Sequence, residues 1–426
     1  MTTSIPVAII GAGQAGLAMS RCLTDRSIDH VLLERGEVAH SWRTERWDSL
    51  RLLTPNWMTR LPGHRYEGTD PNGFMPGEEV VNLLTGYGQS FAAPVHTNTT
   101  VESIHVRGDH HVITTDAGVY RARAVVIATG AASTPRIPAL AAELPAHVHQ
   151  IAPIHYRNPD QLDDGPVLVV GASASGAQLA DELRRSGRDV MLAVGDHTRL
   201  PRTYRGMDIH WWMDTIGVLS ERHDEVPDIA RARRLPSLQL VGSPERRDLD
   251  LNALAAAGVE LVGRFAGVSG STAMFSGSLA NLCASADLKL GRLLDRIDDV
   301  AAEHGLDAKH APGDRPAPTH HPAPITTRDL RSISTVVWAT GFRPTYPWLE
   351  PHLLDRKGAI RHTGGVMTEP GMYVLGLPFQ QHRASSFIDG VGRDATELAA
   401  HLTSWLDAVS APRTTTANPS THQRAA

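Results

Sequence analysis

Three glycines near the N-terminus have the spacing of a loop that binds the pyrophosphate of a dinucleotide. Gly11, Gly13 and Gly16 follow the apolar run at 7–10 and precede a helical pattern of apolar residues. In such a unit the glycines allow a tight turn and close backbone packing, and the helix N-terminus supplies N–H donors to phosphate. Glu34 ends the next apolar run, 18 residues after Gly16, where its carboxylate can accept a ribose hydroxyl. The pattern predicts a dinucleotide site rather than a purely structural glycine turn.

A second copy of this pattern lies in the middle of the chain. The letters GASASG at 171–176 follow an apolar run, but Val194 stands where the first copy has its acid. Arg199 and Arg202 come soon after. Because a missing acid and added cations suit a 2′-phosphate, the second site is predicted to prefer NADPH over NADH. The alternative is that Asp196 does the work of the acid from the loop and that both arginines are merely solvated.

Two further apolar runs end in the same three letters, ATG. The residues concerned are Ala128, Thr129 and Gly130 in one run and Ala339, Thr340 and Gly341 in the other. Small residues at such points let the chain pass close to a bound cofactor or cross between domains. Since each run lies downstream of one glycine fingerprint, the sequence predicts two similar nucleotide-binding units, one inserted in the other.

Composition excludes several classes of protein. The 426 residues (46.1 kDa) carry 41 basic and 46 acidic side chains, a net charge of −5, which is unsuited to binding nucleic acid. Cys22 and Cys283 are the only cysteines, so the chain has no disulfide framework and no CxxC redox motif. No apolar run is long enough for a membrane span, and the start lacks the features of a signal peptide, so we expect a cytoplasmic protein. The histidines at 310, 320 and 321 are interpreted as part of a solvated loop, and no metal site is predicted.

The sequence resembles the flavin-containing monooxygenase-like class B flavoproteins over roughly residues 5–408, most closely the bacterial members and the plant indole-3-pyruvate monooxygenases. Matching stretches include GAGQAG at 11–16, HSWRTERWDSLRLLTP at 40–55, WATGFRP at 338–344 and SSFIDGVGRDA at 385–395. The resemblance implies an FAD domain interrupted by a smaller NADPH domain. It also implies that NADPH reduces FAD, that O2 forms a C4a-(hydro)peroxyflavin, and that this species oxygenates a small organic substrate.

The resemblance therefore predicts how the α/β fold is divided into domains. Two Rossmann-like dinucleotide-binding domains are expected, with the first part of the FAD domain at 1–160 and the NADPH domain at 161–330. The second part of the FAD domain is expected at 331–410, and a disordered tail at 411–426. The final helix is expected to begin near Ala395.

The same resemblance implies roles for individual residues. Those expected to hold the ADP half of FAD or to pass close to it are Gly11, Gly13, Gln14, Gly16, Glu34, Arg35, Val101, Ala128, Thr129 and Gly130. Those expected near the flavin ring are Ser41, Trp42, Arg43 and the segment from Arg51 to Thr54. Those expected to contact NADP are Gly171, Ser173, Ala174, Ser175, Gln178, Arg199, Arg202, Ala339, Thr340 and Gly341. No catalytic side chain is assigned, because the reactive oxygen is carried by the flavin; the nearest candidates are Leu53, Asn56 and Ser386.

Two departures from the family pattern bear on the reaction. In the linker signature FxGxxxHxxxY/W, the histidine position falls on Ala152 and the glycine position on Val148. The asparagine that animal members place near the flavin has no clear match, since Leu53 occupies its position and Asn56 lies nearby. The first departure disfavours Baeyer–Villiger chemistry, and the second implies that oxygen activation depends on NADP+ and backbone groups rather than on that side chain. N- or S-oxygenation is the preferred prediction, because its signature requirement is the least demanding.

Other functions remain open at this point. The chain could be a Baeyer–Villiger or arylpyruvate-decarboxylating monooxygenase. It could instead be an FAD-dependent NADPH reductase or dehydrogenase that passes electrons to a quinone or a protein. A non-enzymatic flavin-binding sensor is disfavoured by the intact second fingerprint. The expected partners are a small-molecule substrate and O2, and a homodimer is considered as well.

Overall fold

A computed structural model of the chain describes residues 2–410, and the predicted disordered tail lies outside them. The α-helices are α1 (Gln14–Thr24), α2 (His40–Thr44), α3 (Gly77–Ser90), α4 (Ala174–Arg185), α5 (Ile209–Thr215), α6 (Ile229–Ala232), α7 (Leu251–Ala256), α8 (Leu279–Glu303) and α9 (Ile388–Ser410). Short 3-10 turns occur at Asn56–Met58, Ala139–Glu143, Pro159–Gln161, Leu306–Ala308, Leu330–Ser332 and Pro351–Leu353.

The strands belong to two main sheets and several small ones. In chain order they are β1 (Thr2–Ile10), β2 (His30–Leu33), β3 (Val95–His96), β4 (Val101–Arg107), β5 (His110–Thr115), β6 (Gly118–Ile127), β7 (Thr134–Pro135), β8 (His149–Ile151), β9 (Val167–Val170), β10 (Val190–Ala193), β11 (Thr198–Arg199), β12 (Thr203–Tyr204), β13 (Met207–Asp208), β14 (Leu238–Gln239), β15 (Glu260–Val262), β16 (Phe265–Ser269), β17 (Thr272–Phe275), β18 (Thr327–Asp329), β19 (Thr335–Trp338), β20 (Phe342–Arg343), β21 (His362–Thr363), β22 (Val366–Met367) and β23 (Met372–Val374).

The first unit is built on a nine-stranded sheet. Its path runs β21-β22-β23-β6-β1-β2-β3, and the β4–β5 hairpin extends it alongside β6. The strands β23, β6, β1, β2 and β3 are parallel to one another, whereas β22 and β5 pair antiparallel with β23 and β6. Because both faces are covered at the centre of the sheet, the stretches 7–10, 31–33 and 124–127 are continuously apolar rather than alternating. Helices α1, α3 and α9 pack on one face, through Leu17, Leu84 and Leu402 among others. The opposite face packs on the hairpin and on residues such as Leu349 and Leu353.

The second unit is built on a five-stranded parallel sheet in the order β15-β10-β9-β19-β8. Helices α4 and α7 cover one face, and the antiparallel strands β16, β17 and β18 lie over the other. The sheet contains β8 and β19, which lie far apart in sequence, one before and one after the predicted domain at 161–330. The predicted boundaries at 160 and 330 are therefore wrong, since this unit begins before His149 and extends through Trp338.

The chain crosses between the units twice, and the two crossings run side by side. Strand β7 on the way in pairs antiparallel with β20 on the way out. The N–H of Arg136 donates to the carbonyl of Gly341 at 2.9 Å, and the Thr340 hydroxyl donates to the carbonyl of Arg136. The second unit is thus an insertion in the first, as the repeated fingerprint suggested.

The last helix begins earlier than expected. Helix α9 starts at Ile388 rather than near Ala395. Its buried residues Val391, Ala395 and Leu398 recur at the spacing of one helical face, which packs on α1. The segment from Asp389 to Asp394 therefore forms the first turns of the helix rather than a loop before it.

Gly16 provides a test of how tightly α1 packs on the first sheet. A Cβ at this position would overlap the carbonyl oxygen of Gly11, whereas a Cβ at Gly86, in α3, meets no atom within 4 Å. We expect Gly16→Ala to lower the free energy of unfolding by about 1–3 kcal/mol. Gly86→Ala should raise it by about 0.5–1 kcal/mol, because alanine restricts the unfolded chain. Equal stability of Gly16→Ala and wild type in denaturant titrations would contradict this packing.

Candidate functional site

The first glycine fingerprint forms a turn that only glycines allow. Gly11 has a φ of +104°, and a Cβ on it would lie 2.8 Å from the carbonyl oxygen of Ala128. Gly16 packs against the backbone of Gly11. At Gly13, the residue just before α1, a Cβ would meet nothing within 4 Å. The loop is therefore tight on the protein side and open on the side that a pyrophosphate would occupy, which fits the predicted cofactor.

Glu34 lies beside this loop and is almost fully buried. Its Oε2 accepts a hydrogen bond from the N–H of Ala12 at 2.7 Å, and its Oε1 accepts one from the N–H of Gly36 at 3.2 Å. Each carboxylate oxygen has a second lone pair, so the group can also accept ribose hydroxyls. The next residue, Arg35, is exposed and forms an ion pair with Glu45.

Residues predicted to lie near the flavin ring follow in α2 and the segment after 50. The N–H of Ala39 donates to Ala12 at 3.1 Å, which fixes the start of α2 and hence Ser41 and Trp42 next to the loop. Trp42 packs against the core. Arg43 instead donates to the carbonyl of Val38 and to the hydroxyl of Thr85, so its guanidinium contacts α3.

The segment 51–56 is held by backbone contacts with 70–75. Leu52 donates its N–H to Met75 at 2.8 Å, and the side-chain amide of Asn56 donates to the carbonyl of Asp70 at 2.9 Å. The Oδ1 of Asn56 is buried without a hydrogen-bond partner. Leu53 and Thr54 are half-buried on this segment.

The remaining residues predicted for the first cofactor lie on three different elements. Val101 is the first residue of β4, and Thr129 is exposed directly after β6. Gly130 follows with a φ of +76°. Ser386 is half-buried just before α9, whose preceding turn is held by the Ser385 hydroxyl through the backbone of 381 and 382.

The second fingerprint repeats the geometry of the first. Gly171 has a φ of +106°, and a Cβ on it would overlap the carbonyl oxygen of Ala339. Gly176 packs against Gly171, and α4 begins after Ser173 as α1 begins after Gly13. Each ATG segment therefore passes directly against one glycine loop. The repeated contact places a second dinucleotide-binding loop at the carboxyl end of β9.

A segment with no recognisable motif lies over this second loop. The N–H of Ala174 donates to the Ser237 hydroxyl at 3.4 Å, and the Gln239 side chain donates to the carbonyl of Ala172 at 2.6 Å. Gln178, predicted to contact pyrophosphate, is buried and donates instead to the carbonyl of Leu240 at 2.7 Å. That prediction is wrong, because the side-chain amide of Gln178 is bonded to the segment that lies over the loop. Ser175, one turn earlier in α4, stays half-buried next to the loop.

The two arginines predicted to bind a 2′-phosphate are both unavailable for it. Arg199 is 3% exposed and pairs with Asp250 and Asp287, each at 2.7 Å. Arg202 is fully buried and pairs with Asp208 at 2.7 Å. Both assignments are wrong, because each guanidinium is neutralised inside the protein.

Another arginine lies at the edge where the 2′-phosphate was expected. Arg264 follows β15, the neighbour of β10, and its guanidinium is 3.2 Å from the carboxylate of Asp196. Its side chain is 54% exposed. No local sequence pattern indicates this contact, because the two residues are brought together by the pairing of β10 with β15.

The two cysteines cannot act as a redox pair. Cys22 lies in the core of the first unit and Cys283 in the core of the second. Burial raises the pKa of both thiols, that of Cys283 to about 11. A reactive thiolate is therefore disfavoured at either position.

Comparison with known proteins places the chain in a family. A family model described as pyridine nucleotide-disulphide oxidoreductase matches residues 8–210. An uncharacterized CzcO-like oxidoreductase of Geobacillus kaustophilus is 33% identical over 398 residues, covering 92% of this chain and 97% of that protein. The chain belongs to the CzcO-like oxidoreductases.

Two further similarities concern this oxidoreductase. A flavin-containing monooxygenase from Stenotrophomonas maltophilia has the same fold with a TM-score of 0.67 at 20% identity, covering 95% of this chain and 99% of that one. A probable indole-3-pyruvate monooxygenase of Arabidopsis thaliana is 29% identical over 207 residues, covering 47% of this chain and 49% of that protein.

These findings confirm several predictions. The fold is α/β with two dinucleotide-binding domains, and the predicted resemblance to flavin-containing monooxygenase-like flavoproteins is confirmed. The chain is an enzyme, an oxidoreductase that uses FAD and a pyridine nucleotide. None of the helices in residues 2–410 has the length and apolar character needed to cross a bilayer.

Gly13 tests the position of FAD. Since a Cβ here enters open space next to the start of α1, Gly13→Val should fold yet fill the space of the pyrophosphate. We expect the purified variant to lose the flavin absorbance of the wild type while its circular dichroism stays native. The matched change Ser173→Val, in the second loop, should keep the flavin and weaken binding of the pyridine nucleotide. Stoichiometric FAD in Gly13→Val would contradict the assignment of the first loop.

Proposed function

We propose that this oxidoreductase is an NADPH-dependent monooxygenase that oxygenates the nitrogen or sulfur atom of a small organic substrate. NADPH and a proton supply two electrons and two hydrogens, one atom of O2 enters the substrate, and the other leaves as water. FAD, when bound, supplies the chemistry that links hydride transfer to the activation of O2. The protein binds and orients the two cofactors and excludes water from the space between them.

The observation that carries the proposal is the pairing of two equivalent dinucleotide loops without a dithiol. The loops at Gly11 and Gly171 have the same backbone geometry, so one chain can bring a hydride donor to a flavin. The buried and separated Cys22 and Cys283 leave no disulfide to receive the electrons. Oxygen is then the natural acceptor, and the monooxygenases among the similar proteins support this choice.

Heteroatom oxygenation is preferred because it requires the least from the protein. A soft nitrogen or sulfur nucleophile needs no acid or base side chain to accept oxygen. The positions of the Baeyer–Villiger signature are occupied by Val148 and Ala152, which are both buried at the ends of β8. Ala152 stands at the histidine position of that signature and has no imidazole to supply.

A second reaction is favoured by one comparison. The similarity to an indole-3-pyruvate monooxygenase supports an oxygenation that decarboxylates an arylpyruvate. This reaction belongs to the same proposed enzyme class and differs in substrate. It is therefore included among the substrates to be tested.

The preference for NADPH rests on the residues at the end of β10. Val194 provides no carboxylate to bind the two hydroxyls of an NADH ribose. Arg264, which follows the neighbouring strand β15, provides an exposed cation. A 2′-phosphate can replace the Asp196 carboxylate as the ionic partner of this arginine. We propose Arg264 as the residue that contacts the 2′-phosphate.

The proposed oxygenation is tested with the FAD-loaded enzyme, NADPH and isotopically labelled O2. Thioanisole, N,N-dimethylaniline, phenylpyruvate and cyclohexanone serve as probes for the candidate reactions. We expect one labelled oxygen atom in the product of a sulfide or amine and less H2O2 than NADPH consumed. Release of all the oxygen as H2O2 with every probe, together with fast anaerobic reduction of a quinone, would show a reductase instead.

Arg264 and Asp196 give opposite predictions for cofactor choice. Loss of one charge-assisted contact costs about 1.5–3 kcal/mol, so Arg264→Ala should raise the KM for NADPH tenfold or more and leave that for NADH unchanged. Asp196→Ala should leave the KM for NADPH unchanged or lower it, because the competing carboxylate is gone. Steady-state kinetics with both nucleotides decides between the interpretations. A selective loss of NADH activity in Asp196→Ala, with no effect of Arg264→Ala, would favour an NADH enzyme.

A further inference from the structure

The second unit contacts the segment 51–54 of the first unit at unusually short range. Gly242 lies so close that a Cβ on it would overlap the carbonyl oxygen of Leu52 and would lie 2.9 Å from the Cβ of Arg51 and from that of Phe74. Its φ is not in the left-handed region, so contact rather than backbone conformation requires a glycine. The two units thus meet backbone to backbone at the segment expected to border the flavin.

A buried guanidinium spans the same interface. Arg202, from the second unit, is fully buried, and its Nη1 donates to the carbonyl of Leu53 at 2.8 Å. Its guanidinium carbon lies 4.8 Å from the centre of the Phe74 ring, which is also in the first unit. One side chain of the second unit therefore makes two contacts with the first.

Partners within the second unit fix the guanidinium from the other side. Its Nη2 donates to Oδ1 of Asp208 at 2.7 Å and lies 2.9 Å from Nδ1 of His210. Burial lowers the pKa of His210, which keeps the ring neutral and able to accept this bond. The backbone N–H of Arg202 donates to the carboxylate of Asp248 at 2.6 Å. These partners hold the side chain in the geometry in which it also reaches the carbonyl of Leu53.

This arrangement is poorly explained by stability alone. Removing a guanidinium and a carboxylate from water has a large desolvation cost, and apolar replacements of buried ion pairs are often as stable. The Nε of Arg202 is moreover buried without a partner. The specific result of the network is a hydrogen bond from the second unit to the segment 51–54, beside the bond that Leu52 makes to Met75 within the first unit.

We propose that Arg202 is a positioning residue that holds the segment 51–54 in place against the flavin. It acts through the carbonyl of Leu53 and does not itself contact a cofactor. The proposal rests on the proposed function for the location of the flavin, whereas the contact across the interface is independent of it. The pyridine-nucleotide unit thereby sets the shape of one wall of the flavin site.

Hydrogen exchange in the FAD-free protein tests the contact itself. The readout is the set of amides of Leu52, Asn56 and Trp57, which donate to Met75, Gly73 and Pro71. Arg202→Met should speed their exchange by about tenfold, as expected for the loss of one hydrogen bond from a charged group. Arg202→Lys keeps the positive charge but lacks the planar set of guanidinium donors. It should therefore restore part of the protection from exchange that Arg202→Met loses.

The matched control is a second buried arginine of the same unit. Arg205 has a side chain that is 2% exposed, and its partners Asp307 and Ala311 lie in the second unit. Arg205→Met removes an equivalent buried charge without touching the segment 51–54. Equal acceleration at 52–57 in both variants, or no acceleration in Arg202→Met, would overturn the proposal.

A glycine substitution keeps the proposal testable if Arg202→Met does not fold. Gly242→Ala should push the same segment away and speed the same amides, whereas Gly277→Ala, where a Cβ meets nothing within 4 Å, should not. Unchanged exchange in Gly242→Ala would contradict the proposed coupling.

The visible circular dichroism of bound FAD tests the consequence for the flavin. Arg202→Met should change its shape and Arg205→Met should not. An unchanged spectrum with faster exchange would overturn the placement of the segment against the flavin. Wild-type protein that binds no FAD would refute the proposed function, while the exchange result in FAD-free protein would still decide the role of Arg202.

Discussion

The organisation of the enzyme depends on the contact between two stretches of backbone at each glycine loop. Gly16 can lie against Gly11, and Gly176 against Gly171, only because neither helix presents a Cβ there. This contact sets the height of each helix on its sheet. In the first unit it leaves open space beside Gly13, just before α1. Once strand, loop and helix meet in this way, the direction from which a phosphate can approach is determined.

The same constraint explains why the two ATG segments look alike. Each follows the strand adjacent to a glycine loop, and the first residue of each places its carbonyl next to the first glycine of that loop. In each unit this carbonyl oxygen lies too close to the glycine to leave room for a Cβ on it. The two units are thus similar because both pack a glycine loop between a helix and an adjacent strand, although their sheets differ in size.

Local patterns predicted the parts of the site that are determined locally. The glycine loops, the strands before them and Glu34 could be inferred because turn, strand and acid lie within a few tens of residues. The partners of Arg199 could not be, since Asp250 and Asp287 reach it only after α7 and α8 pack on the second sheet. For the same reason the ion pair of Arg264 with Asp196 could not be inferred, nor could the membership of β8 and β19 in the second sheet. An arginine in a sequence indicates a charge but does not identify the carboxylate that neutralises it.

The paired crossings β7 and β20 have a consequence for the history of the chain. Because the inserted unit enters and leaves through adjacent antiparallel strands, its two ends lie together, as do those of a self-contained domain. A gene segment encoding such a unit can be gained, lost or exchanged without stretching the sheet that receives it. The chain leaves the host sheet after β6 and rejoins it at β21, once the inserted unit is complete. The architecture is therefore modular, so that the inserted unit can be replaced while the sheet of the first unit is kept.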